Sequence, residues 1–379
     1  MYDVIVVGLG GMGGAIAYHL ARRGRRVLGL DRFTPPHDAG SSHGRSRIIR
    51  QAYFEDPAYV PLLLRAYELW EALAKDAGET LLVKTGGLMI GTPDSAIVAG
   101  STESARRHGL SYRMLSPEDV GRWFPAFRLE PHEVAVYEEA AGVLFPEKTV
   151  AAHLRLAQAA GAELRFGEPV ESWVAGDGSV SVRTPQGRYQ AERLVLAAGA
   201  WNPGLLGGTF PLEVERQVSL WFRPAERPDW FEDHFPIFIW DRGDEPALYG
   251  LPGLEGEGIK VGLHHGGLRG DPDALSREVT PADVEPVQRL LARRLPLLDP
   301  EPQRAAVCLY TNTPDLHFLV GPHPDHPAVL LAGGFSGHGF KFVPVIGEAV
   351  ADLVEGKARP DLALFSPARF RPAPEQGRS

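Results

Sequence analysis

A G-x-G-x-x-G run set between a short apolar stretch and a helical pattern constrains this chain more than any other feature. Asp3 to Val7 is rich in Val and Ile and reads as a core strand. Gly8, Gly10, Gly11 and Gly13 follow, and an apolar helical pattern then runs from Gly14 to Arg23. Gly24 ends that helix, and Val27 to Leu30 forms a second strand closing on Asp31. In such a βαβ opening, Gly8 permits the tight turn. Gly10 lets the backbone approach a pyrophosphate, and Gly13 lets helix and strand pack closely. The helix N-terminus offers free N–H groups and partial positive charge to phosphates. Asp31 lies 18 residues past Gly13 (31 − 13), where an acid accepts hydrogen bonds from ribose hydroxyls and disfavours NADP. The motif does not choose between NAD and FAD.

The rest of the chain alternates between two textures. Residues 34–47 read as a loop, and helices are expected at Pro57 to Ala74, near 93–108 and at Glu147 to Ala160. Arg193 to Ala198 and Ala328 to Ala332 read as further buried strands, and a last helix is expected from Val343 to Val354. Residues 212–268 alternate in β fashion, and Thr280-Pro281-Ala282-Asp283 reads as a helix start leading to Leu295. The expected fold is α/β with two discontinuous domains. A Rossmann-like dinucleotide domain takes roughly 1–80, 145–212 and 316–379. A mostly antiparallel β-sheet substrate domain takes roughly 81–144 and 213–315. A polar tail is expected from Pro372.

Composition removes several function classes. The 379 residues carry 39 basic and 48 acidic side chains, a net charge of −9, which argues against nucleic acid as a partner. Cys308 is the one cysteine, so an intrachain disulfide, a dithiol redox pair and a Cys-rich zinc site are excluded. From its sequence neighbours alone Cys308 reads as a small buried hydrophobe. No metal site is expected, since no metal-ligand spacing occurs and His264 and His265, adjacent in a strand, should point to opposite faces. Gly334-Phe335-Ser336-Gly337-His338 departs from a nucleophile elbow at its fifth residue. Arg47 and Arg50 share a face on a helix but not in a strand, and the sequence leaves that open. No apolar run reaches membrane-spanning length, and the N-terminus lacks a basic leader, so a cytoplasmic location is expected.

Over nearly its whole length the chain resembles the monomeric sarcosine oxidase / N-methyltryptophan oxidase family of flavin amine oxidases. The resemblance is carried by Tyr2 to Gly13, by Gly40-Ser41-Ser42-His43-Gly44 through Arg47-Ile48-Ile49-Arg50, and by Val307-Cys308-Leu309-Tyr310-Thr311. Its most specific stretch is Gly333 to Phe342. It implies FAD rather than NAD, bound covalently through a thioether from Cys308 to the ring 8α-methyl. It implies a substrate carboxylate held by Arg50 and Lys341, with Arg47 and Lys260 flanking the flavin. Lys260, one of six lysines in the chain, would serve oxygen reduction, because a fixed cation favours superoxide formation. Tyr249, His264, Tyr310 and Gly337 would line the substrate pocket. The implied cofactor contacts start at Gly8, Gly10, Gly11, Met12 and Gly13. They continue through Asp31, Arg32, Ser42 and Arg47 to Val170, Gly199, Cys308, Gly339 and Lys341.

The implied activity is oxidation of a secondary amino acid at its N-methyl carbon. The products are formaldehyde, the primary amino acid and, from oxygen, hydrogen peroxide. The implied partners are a small amino acid and oxygen, with no membrane partner, and the resemblance favours a monomer. Sarcosine leads, with proline, pipecolate and N-methyltryptophan as cyclic or bulkier alternatives. Trp240 is placed at the pocket, and Leu263 stands where an aromatic residue is expected before His264; either could reset substrate size. An NAD-linked dehydrogenase needs only the glycine motif and leaves Cys308 unexplained. A non-catalytic flavin subunit is the third reading.

Overall fold

A computed structural model describes residues 1–176, 178–225, 231 and 234–371. The tail expected from Pro372 lies outside the described residues. Tyr2–Val7 forms the central strand of the first sheet, and Val4 to Val7 are buried as the apolar run requires. It pairs in parallel with Val27–Leu30 on one side and with Gly187–Leu196 on the other. Glu163–Arg165 and Val329–Gly333 extend the parallel core at its two ends. Ser172–Gly176 and Ser179–Thr184 add antiparallel strands beside Gly187–Leu196.

The first helix, Gly11–Arg22, packs on this sheet against Pro146–Ala159 and Val343–Val354. Its Ile16 and Leu20 are fully buried, each contributing about 1.5–3 kcal/mol of transfer free energy. Gly13 is needed at this crossing, since a Cβ there would overlap the carbonyl oxygen of Gly8. The strand C-termini and this helix N-terminus therefore meet at one edge, where α/β sheets bind ligands.

The second sheet runs in the order Leu298–Asn312, Glu213–Pro224, Ile259–His264, Glu245–Leu251, Ile237–Arg242, Gly87–Gly91, Val134–Glu138, Arg113–Leu115. It is antiparallel except where Ile237–Arg242 meets Gly87–Gly91. One face carries an aromatic core that includes Phe127, Phe222, Phe235 and Phe238, with the Pro281–Arg294 helix packed on it. That helix starts with the expected capping box between Thr280 and Asp283. The other face looks toward the dinucleotide edge of the first sheet. Register fixes who stands there: Tyr249 opposes Gly262, Leu251 opposes Lys260, and Gln217 opposes Cys308. Because strand side chains alternate, Ile239, Tyr249, Lys260, His264, Cys308 and Tyr310 share this face.

The same alternation corrects two expectations. Trp240 points to the aromatic core, not to the pocket. Its indole Nε1 donates to the buried Glu133 at 2.9 Å, while its neighbour Ile239 faces the cavity. Leu263 also packs on the aromatic core, so it does not set pocket size. A third, small sheet pairs Gly142–Leu144 with Arg47–Ile49 and with Leu82–Lys84. Among the described residues no helix is long and apolar enough to cross a membrane.

Candidate active site

A cleft of about 390 Å³ opens at the edge of the first sheet. Its floor is the bare backbone around Gly8, Gly10, Gly11 and Met12, with Ser42 Oγ accepting from Gly11 N at 3.1 Å. The first helix has no acidic residue in its first turn, so its positive end stays free for a pyrophosphate. Asp31 is buried, with Leu9 N and Phe33 N donating to its two carboxylate oxygens at 2.7 and 2.8 Å. A carboxylate has about four acceptor positions, so about two remain for ribose hydroxyls. Arg32 lies over the rings of Phe33 and Trp201 and pairs with Asp273 at 3.0 Å. Val170, Gly199 and Gly339 also line this cleft. Gly13 stands behind the floor rather than on it. A dinucleotide fits these residues: bare backbone for phosphates, an acid with spare acceptors for the ribose, a long trough between them.

A second cavity of about 90 Å³ lies against the inner end of the cleft. Arg47, Cys308, Tyr310, Gly337 and Phe340 line both. The far walls of the small cavity hold Arg50, Lys341, Lys260, Tyr249 and His264. Lys341, expected at the cofactor as well, lines only this inner cavity. Gly337 is a strict requirement here, at φ +78°, because a Cβ would strike the ring of Tyr310.

Cationic side chains crowd this small space. Arg50 is buried, donating to Glu55 Oε2 at 2.6 Å and to Ala52 O at 2.9 Å, while its Nε has no partner. Lys341 Nζ donates to His338 O at 2.7 Å. Burial, and then the Arg50 charge, push the Lys341 ammonium down to about 7. Lys260 Nζ donates to Gly44 O and Ser46 O, both at 3.0 Å, and burial and Arg47 hold it well below its usual value. His264 is driven well below 6.5 by burial and by nearby His265, His338, Lys341 and Arg50, so its ring is neutral. Its Nδ1 lies 3.2 Å from Tyr310 OH.

His265 leaves the strand in a left-handed conformation, φ +69°. The two histidines therefore do not point apart; their rings lie 4.2 Å from each other and both touch Tyr310. Arg47 and Arg50 both reach the cavity, because the strand ends at Ile49 and the chain turns before Arg50. Ser336 is buried and bonded to Gly334 O and Thr313 N, as a structural hydroxyl is.

Cys308 differs most from its sequence reading. Burial pushes its thiol up, but the neighbouring His43 imidazole and the charges of Arg47 and Lys260 outweigh that and bring it down to about 7. Arg47 Nη2 lies 3.6 Å from Sγ. None of these partners is a sequence neighbour. His43 and Glu55 are the functional candidates that sequence reasoning passed over. A buried arginine demands a counter-charge, which was the available signal for Glu55. His43 had no local signal beyond its place in the Gly40–Gly44 loop.

Together the cleft and cavity fit a dinucleotide-dependent oxidoreductase. The chain belongs to the FAD dependent oxidoreductase (DAO) family, whose model matches residues 3–353. Within that class it falls in the monomeric sarcosine oxidase and N-methyltryptophan oxidase group that its motifs resemble. It is 47% identical to the monomeric sarcosine oxidase of Streptomyces avermitilis, over 98% of this chain and 99% of that one. Identity to the N-methyl-L-tryptophan oxidase of Salmonella heidelberg is 34%, over 97% and 99% of the two chains. Among solved structures, NikD, an unusual amino acid oxidase essential for nikkomycin biosynthesis, superposes in its open form with TM-score 0.87. It is 29% identical and covers 97% of both chains. L-proline dehydrogenase from P. horikoshii shares the fold, with TM-score 0.83 at 24% identity over 97% of both chains.

Proposed function

We propose that the protein is an FAD-dependent oxidase of small N-methyl amino acids, with sarcosine as substrate and the flavin attached to Cys308. The observation that carries this reading is the shared wall between cleft and cavity. Arg47, Cys308, Tyr310, Gly337 and Phe340 stand where a flavin ring entering from the cleft would meet a substrate in the cavity. FAD, when bound there, supplies the two-electron acceptor.

The chain's own residues do the rest. Arg50 and Lys341 take the substrate carboxylate, and the unpartnered Arg50 Nε gives that anion a donor to satisfy. Arg47 and Arg50 hold fixed positive charge around the bound amine. That field disfavours an ammonium, so the amine is held neutral and its lone pair is available for oxidation. The neutral His264 ring and the Tyr249 and Tyr310 hydroxyls orient it, since burial keeps both phenols protonated. Lys260 stabilises the negative charge that oxygen gains on its way to peroxide. Cys308, partly thiolate near neutral pH, would be the nucleophile for the tether, its C–S bond replacing a C–H bond of the ring methyl and the two electrons released leaving with oxygen as peroxide.

Cavity size supports sarcosine over bulkier amines. About 90 Å³ bounded by Phe54, Ile239 and Leu251 suits a substrate of few heavy atoms, and an indole would need these walls to move. The division into a flavin domain (1–80, 145–212, 316–379) and a substrate domain (81–144, 213–315) belongs to the same reading. So does a monomer, which the name of the relatives supports. A cytoplasmic location suits a thiol that must stay reduced until it meets flavin. The test is peroxide release across sarcosine, N-methyltryptophan, proline and pipecolate. Sarcosine should give the highest kcat/KM, with equimolar formaldehyde. A higher value for N-methyltryptophan, or peroxide without formaldehyde, overturns the assignment.

A further inference from the structure

Behind the His264 and Tyr310 wall of the substrate cavity lies a buried acid that none of the roles above uses. Glu215 stands on Glu213–Pro224 directly opposite Tyr310, with 1% of its surface exposed. Four donors converge on its carboxylate. Oε1 accepts from Gln217 Nε2 at 2.7 Å and from Gly267 N at 2.8 Å. Oε2 accepts from His265 Nδ1 at 3.2 Å and from Asn312 Nδ2. A carboxylate has about four acceptor positions, so these donors fill them. Burial pushes the carboxyl up, but the His265, Gly267 and Asn312 hydrogen bonds outweigh that and keep it below its usual value, ionised at neutral pH. An ionised carboxylate only accepts, so His265 Nδ1 carries its proton toward Glu215.

We propose that Glu215 is a positioning residue for amine oxidation: through His265 and Gln217 it fixes the wall against which the substrate amine is oriented. His265 has a left-handed backbone, uncommon for a residue with a side chain, and the Glu215 bond holds it there. Gly267 lets the turn close onto the neighbouring strand, since a Cβ there would overlap the carbonyl oxygen of Arg216. Held this way, the His265 ring lies 4.2 Å from the His264 ring and 5.4 Å from that of Tyr310. Gln217, itself a cavity residue, is tied to the same carboxylate. The substrate carboxylate site rests on other partners. Arg50 is held by Glu55 and Ala52 O, and Lys341 by His338 O. Glu215 therefore governs how fast a bound amine is oxidised, because a small misplacement of the reacting carbon costs rate, and leaves the grip on the carboxylate intact. The inference rests on the proposed reading of this cavity as the N-methyl amino acid site.

Glu215→Gln keeps the shape of the side chain but sets an amide NH₂ against groups that are themselves donors. In the flavin-loaded variant, the limiting rate of anaerobic flavin reduction by sarcosine should fall at least about tenfold. The Kd for acetate, which reports the carboxylate site alone, should be unchanged. His265→Ala, at a half-buried position, should give the same pattern and carries the test if Glu215→Gln does not fold. The double variant should lose no more than Glu215→Gln alone, because both substitutions remove one contact. His265→Asn tolerates the left-handed backbone and returns an N–H toward Glu215, so it should recover most of the rate lost in His265→Ala. Unchanged limiting rates in the single variants overturn the proposal, as do losses that multiply in the double variant or an absence of recovery in His265→Asn. Acetate affinity falling as far as the rate overturns it too, because the cavity as a whole has then been disturbed. If sarcosine does not reduce the unmodified protein, the substrate reading falls and this role with it. If sarcosine reduces the unmodified protein and the variants alike, only the role of Glu215 falls.

Discussion

Replacing His43 by alanine should raise the pH at which Cys308 becomes reactive. The thiol titrates at about 7 rather than 9.0 in this environment, with the nearby His43 imidazole the largest influence opposing burial. At pH 7 that leaves about half the thiol ionised, against about 1% for an unperturbed group. Rate alone is an ambiguous reporter. A thiolate of lower pKa is also a weaker nucleophile, and over two pH units this recovers about tenfold of the roughly fiftyfold gain in thiolate. The midpoint of the pH–rate profile is free of that compensation. The assay is alkylation of protein made without flavin, followed by mass spectrometry of the Cys308 peptide across pH 5–10. The midpoint should lie near 7 in the unmodified protein. In His43→Ala it should move up by about 1 unit or more, while Arg47 and Lys260 still hold it below the value set by burial alone. A midpoint near 9 in the unmodified protein, or no movement on removing His43, would refute the reasoning.

Three further outcomes follow from the same geometry. Binding of acetate, a carboxylate with no amine to titrate, should be strong below the Lys341 value of about 7. It should weaken by up to about tenfold per pH unit as pH rises past that value and the ammonium is lost. A binding constant flat from pH 6 to 9 would remove Lys341 from the carboxylate site. In Gly337→Ala, a left-handed backbone costs about 1–2 kcal/mol and the new methyl displaces the Tyr310 ring, so kcat/KM should fall at least about tenfold with flavin still bound. Unaltered kinetics would show that the Tyr310 position is irrelevant to turnover. Trp240→Phe removes one donor to the buried Glu133 and should lower stability by about 1–3 kcal/mol in chemical denaturation. The KM for sarcosine should not change, and a changed KM would return Trp240 to the pocket.

How much of this was legible in the sequence depended on range. The Gly8–Asp31 βαβ unit, the capped helix after Thr280 and the helix starting at Val343 are set by local pattern, and the chain forms them where that pattern occurs. The Gly333–Phe342 and Arg47–Arg50 segments are recognisable only through resemblance, and they meet around one cavity. Errors arose where a side chain's direction depends on non-local register. The sequence places Trp240 in the pocket, but the pairing of Ile239 with Tyr249, and of Tyr249 with Gly262, turns it to the opposite face. Strand alternation predicts that His265 opposes His264, yet the strand stops at His264 and Glu215 holds His265 at 3.2 Å through Nδ1. Cys308 looked inert because its modifiers, His43, Arg47 and Lys260, come from other strands and loops. A sequence window holds apolar neighbours; the fold supplies the charges.

The central claim, that an N-methyl amino acid delivers two electrons to a flavin in this cavity, meets its most direct test without oxygen. Purified protein is mixed anaerobically with sarcosine while the flavin absorbance and the formaldehyde formed are followed. The expected result is complete bleaching, with about one formaldehyde per flavin, and recovery of the oxidised spectrum with release of peroxide when air is admitted. A flavin that stays oxidised in excess sarcosine, or that bleaches without formaldehyde, would contradict it.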